Sequence, residues 1–130
     1  MKTLLALTLA ALCLGCGGYG SSSQPNTPSA GTTPNISGLV PNNVNANSAA
    51  FVLTVNGTSF NNNAQVKWNG AAQTTTFVTG SQVTINVPTS MVTTPGTVQV
   101  TVTNPGTMTG GLYGAGTTAE TSTAMTFTIN

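Results

Sequence analysis

Four stretches of this chain alternate apolar and polar residues with a period of two. In "FVLTV" (residues 51–55), Phe51, Leu53 and Val55 fall on one side and Val52 and Thr54 on the other. The same pattern sets Val83, Ile85 and Val87 apart in "QVTINV" (82–87), and Val98, Val100 and Val102 in "TVQVTVT" (97–103). "AMTFTIN" (124–130) repeats it with Met125, Phe127 and Ile129. Successive side chains of a strand point to opposite faces, so each stretch has one face for a core and one for water. An amphipathic helix would need apolar residues three and four apart, and no stretch shows that spacing with caps.

Two shorter runs, 64–70 and 74–78, and a first edge strand at 35–41 complete a set of about seven strands. Turn signals stand in the gaps: Asn42-Asn43, Asn56-Gly57, Asn61 to Asn63, Asn69-Gly70, Gly80-Ser81, Pro95-Gly96 and Pro105-Gly106. Short strands at this spacing predict an all-β sandwich.

What the surface can do is bounded by charge. Only Lys2, Lys67 and Glu120 carry it, 2% of 130 residues, against about 25% in an ordinary soluble domain. Solubility therefore rests on Asn, Thr, Ser and Gln. With no His, Asp or Arg, the pair of titratable groups that acid–base catalysis uses could come only from Glu120 and Lys67. A Ser or Thr nucleophile has no His to activate it. A zinc site needs several Cys, His or carboxylate ligands and a calcium site several carboxylates, and from residue 17 onward only Glu120 could serve. Binding a phosphate backbone needs clustered Lys or Arg. The expectation is a protein that is not an enzyme, with no metal or cofactor and no nucleic-acid partner. A Lys67–Glu120 pair, if exposed, would contribute only about 0–1 kcal/mol.

Both cysteines, Cys13 and Cys16, lie in "LALTLAALCLGCGGYG". A C-x-x-C pair reads as a redox or zinc motif only with a folded domain or a second ligand pair around it, and neither is here. Lys2 followed by the apolar run 4–14 has the length of a signal h-region, well short of the roughly 20 residues of a membrane span. The segment resembles a bacterial lipoprotein signal, with Gly15 before Cys16 and Leu12 and Leu14 ahead of them. Cys13 stands where Leu is usual, three before the cysteine. The resemblance implies that residues 1–15 are removed and that Cys16 is lipidated, so that the membrane is a partner. It places the protein in the cell envelope. Gly17, where Asp would favour inner-membrane retention, points to the outer membrane if the cell is Gram-negative. The alternative is ordinary secretion with cleavage nearby. Residues 16–33 then form a lipidated start and a Gly/Ser/Thr/Pro linker with no hydrophobic period, expected to be disordered.

From residue 34 to 130 the chain is similar to an IPT/TIG domain, an immunoglobulin-like fold of surface receptors, transcription factors and bacterial surface proteins. The likeness rests on "PNISGLVPNNV", "FVLTVNGTSF", "AQVKWNGAAQTTTFV", "QVTINVP", "GTVQVTVTNPG" and "AMTFTIN" in that order. It implies fold far more than function, since sites are grafted onto such folds. One departure is an insertion, "TMTGGLYGAGTTAETS" (107–122), in place of a short turn. Loops of this length without structure are usually functional or disordered. Leu112 and Tyr113 within it are the candidate ligand contacts, an apolar face with a polar tip between glycines. Trp68 shares a face with Val66 and is expected in the core, and Phe60 at one end of it. The leading expectation is a lipid-anchored module with a binding or structural role toward an unknown protein or glycan. The second is a carbohydrate-binding module using Asn and Thr with Tyr113 or Trp68 as platform. A third is self-association through uncharged strand edges.

Overall fold

The structure, a computed structural model, describes residues 29–108 and 116–130. Ten strands follow in order: β1 (Asn35–Val40), β2 (Asn43–Val44), β3 (Phe51–Thr58), β4 (Gln65–Trp68), β5 (Ala71–Ala72), β6 (Thr75–Thr79), β7 (Gln82–Val87), β8 (Gly96–Asn104), β9 (Glu120–Thr121) and β10 (Met125–Ile129). Among the described residues a single 3₁₀ turn, Thr89–Met91, lies before β8. One sheet runs β1-β3-β7-β6 and the other β2-β10-β8-β4-β5, with β9 also on β8. All pairings between these strands are antiparallel except β2 with β10. The chain leaves the first sheet after β1, turns at the cis Val40–Pro41 peptide and joins the second sheet as β2. The two sheets form a β-sandwich, as the alternation predicts, with the immunoglobulin-like character that the family resemblance implies.

The inward rows of the two sheets make one core. Leu53 faces Ile85 across β3 and β7, and Val55 faces Val83. Opposite them, Val66 faces Val102 and Trp68 faces Val100 across β4 and β8. All of these are buried. Phe127 on β10 joins the sheets: its ring stacks on Phe51 of β3 at 5.9 Å and meets Trp68 at 5.1 Å, tilted by 54°. Trp68 is 6% exposed and Phe60 4%, so both serve packing, as expected. The outward rows are Thr54, Thr84 and Thr76 on one sheet, and Thr97, Gln99, Thr101 and Thr103 along β8 on the other.

Two readings change. The short strands β2, β5 and β9 are additional to the seven, because two residues carry no period to detect. Asn56-Gly57 is not a turn but part of β3. Gly57 is there for close approach: a Cβ would run into the carbonyl of Asn35 on β1 and the ring of Phe60. Its amide donates to Ser81 O at 2.9 Å. By contrast Asn69-Gly70 is a turn, with φ of 50° and 87°, joining β4 to β5.

Candidate functional site

The two buried polar side chains among the described residues, Asn104 and Ser122, lie near one end of the domain, where β8 finishes and the β3–β4 turn begins. Asn104, the last residue of β8, is 1% exposed. Its Oδ1 accepts from the Asn61 amide at 3.0 Å, and its Nδ2 donates to Ser59 O at 2.7 Å and Thr32 O at 2.8 Å. One side chain thus ties the end of β8 to the β3–β4 turn, 43 and 45 positions away, and to Thr32, 72 positions away. A buried amide is tolerated when its donors and acceptors are all engaged, as here. Sequence reasoning missed Asn104. The available signal was a polar residue ending an apolar-alternating strand, directly before Pro105-Gly106.

The insertion is held at both ends. Thr117 N–H donates to Thr107 O at 2.8 Å, and Thr107 N–H to Thr117 Oγ1 at 3.0 Å. Further on, β9 pairs with Thr103 and Asn104. Ser122, 7% exposed, accepts from Val102 N–H at 3.0 Å through its hydroxyl. These segments therefore have structure, and the candidate contacts Leu112 and Tyr113 lie outside the described residues, as does Cys16. Glu120 takes hydrogen bonds from Thr33 (3.4 Å) and Thr118 (3.0 Å) rather than pairing with Lys67, which stands opposite Thr101 on the second sheet's outer face.

Beside this corner an open groove of about 500 Å³ runs between the β3–β4 turn and the start of β6. Asn62, Asn63 and Gln65 line one side, Gln73 and Thr74 the other, with Thr103 between. Thr75 is committed to the fold, donating to Gln73 O and accepting from Val66 N–H. Thr103 shares a hydrogen bond with Thr121 at 2.8 Å. The amides of Asn62, Asn63 and Gln65 belong to exposed residues. The groove offers neutral donors and acceptors and no ionised group. Among the described residues there is no cluster of three or more metal-ligating side chains. No helix among them is long and apolar enough to cross a membrane.

Residues 34–129 match the family model of the IPT/TIG domain. The chain belongs to the IPT/TIG family. The match spans β1 to β10, so the sandwich is the IPT/TIG domain, and the insertion is carried within it. A comparison with curated proteins returns no match. IPT/TIG domains are in general non-catalytic immunoglobulin-like modules, which is consistent with a binding or structural part for this one. Its own edges are short or neutral: β6, at the end of the first sheet, leaves Phe77 38% and Val78 48% exposed.

Proposed function

We propose that this chain is a lipid-anchored, extracytoplasmic module of the bacterial cell surface, acting by non-covalent contact or as a spacer. The observation that supports this is the order of its parts. An apolar run ends at Gly15-Cys16, a Gly/Ser/Thr/Pro stretch follows, and an IPT/TIG domain comes last. Acyl chains on Cys16 would each contribute about 0.8 kcal/mol per buried CH₂, and two or more give stable anchoring. The nearly uncharged surface has little field to attract ions or polyanions, so contact rests on shape, hydroxyls and amides. Leu112 and Tyr113 remain the loop residues proposed to touch a protein or glycan partner. The test is membrane partition of the wild type and Cys16→Ser in a bacterial host. The wild type should sediment with membranes and leave them only in detergent, and the variant should be soluble. Equal partition of the two removes the anchor and leaves a freely secreted domain.

A second reading, a carbohydrate-binding module, is favoured by the groove. Three exposed side-chain amides around an uncharged cleft match sugar hydroxyls without requiring ions. Trp68 drops out as a platform because it is buried against Phe127. A titration with neutral oligosaccharides, followed by NMR, should shift Asn62, Asn63 and Gln65 and fail to do so in Asn63→Ala. Shifts nowhere on the domain would remove this reading.

A further inference from the structure

The five residues before the IPT/TIG domain, 29–33, run along the insertion. Ser29 forms a parallel bridge with Thr117: its amide donates to Gly116 O at 3.0 Å, and its carbonyl accepts from Thr118 N–H at 2.9 Å. Thr32 O takes a hydrogen from the buried Asn104 at 2.8 Å. Thr33 donates to Glu120, whose other oxygen accepts from Thr118 Oγ1. Gly31 marks the closest approach: a Cβ there would run into the Thr118 carbonyl and meet the Glu120 side chain at 3.3 Å. Two backbone hydrogen bonds, a buried amide and the only acidic side chain of the sequence thus converge on five residues. A segment that merely joined two parts would need none of them.

We propose that the insertion, through residues 107 and 116–120, is a dock for the chain's own N-terminal extension and fixes the direction in which that extension leaves the domain. The point where the extension parts from the body moves from Pro34, at the root of β1, to Ser29 beside the insertion. A pull on the extension is then taken up by β8 and β9 before it reaches β1. The receiving side is prepared for this, since Thr107 and Thr117 hold each other through three bonds that do not involve the extension. The dock does not depend on whether Cys16 carries lipid.

The test uses the full-length protein as its host delivers it, in detergent, with ¹⁵N relaxation and amide exchange. Order parameters at residues 30–33 should approach about 0.85, the rigid-backbone value. The Thr118 amide should exchange at least about tenfold more slowly than in a free chain. Ser29→Pro deletes the donor to Gly116 O and lies outside the sandwich, so it cannot act by unfolding it. Gly31→Val places a side chain against the Thr118 carbonyl. Either should bring residues 30–33 below about 0.6 and Thr118 to the free-chain rate, with β3 and β7 amides unchanged. Coil-like values at 30–33 in the wild type overturn the dock. So does Thr118 exchange that neither variant alters. Protection of Thr118 that fades on dilution overturns it too, because a neighbouring molecule's extension would then be filling the site.

Discussion

The space between the sheets and the corner around Asn104 are built by opposite means. Between the sheets, Val, Leu, Ile and Phe from six strands pack without a polar group, and neighbouring side chains are largely interchangeable in kind. Packing of that sort tolerates volume-conserving swaps and responds mainly to lost volume. At the corner, polar contacts are added to the packing around the buried Phe60. Single hydrogen bonds join the β3–β4 turn, the end of β8 and the segment at 29–33. There the identity of one residue matters more than its size. The domain therefore has a redundant half and a half with a single keystone. The groove and the insertion, its two candidate working surfaces, both adjoin the second.

The largest effect should come from the redundant half when volume is removed. Phe127→Ala empties the contact between Phe51 and Trp68 and should cost about 4 kcal/mol in denaturant unfolding. A loss below about 1.5 kcal/mol, the scale of a tolerated swap, would mean that the sheets collapse to fill the space. Asn104→Ala leaves one amide hydrogen and two carbonyls without their partner, and should cost about 3 kcal/mol. If it costs no more than an ordinary surface change, about 0.5 kcal/mol, the corner is not held by this side chain and the contrast between the halves dissolves. Asn104→Asp sharpens the comparison at nearly constant volume: it sets a carboxylate against the Ser59 and Thr32 carbonyls and should be worse than alanine in the same assay. Asn63→Ala, in the groove, should change stability by less than about 0.5 kcal/mol while weakening any glycan contact. Raising salt to roughly 1 M, where the Debye length is about 3 Å, should leave partner binding almost unchanged. A steep salt dependence would point to a contact through Lys67 or Glu120.

The same division sets what can be read from the sequence. The long strands β3, β7, β8 and β10 were legible because burying one face imposes a period that local residues must display. Gly57 misleads for a physical reason: the absence of a Cβ signals a turn and a close backbone contact alike, and only the position of Asn35 and Phe60 tells them apart. Asn104 was not legible as a keystone, since its partners lie 43 to 72 positions away and nothing local marks them. The insertion was visible as a departure from the family pattern. Its pairing with residues 29–33 was not, because Gly, Ser and Thr look alike in a loose link and in a close-packed one.

The most direct measurement for the functional account is the mass of the N-terminal peptide released by proteolysis from the membrane-extracted protein. The account predicts a peptide that begins at Cys16 and carries the added mass of acyl chains on that residue. An unmodified peptide, or one that begins elsewhere, would contradict it and leave the IPT/TIG domain without a lipid anchor.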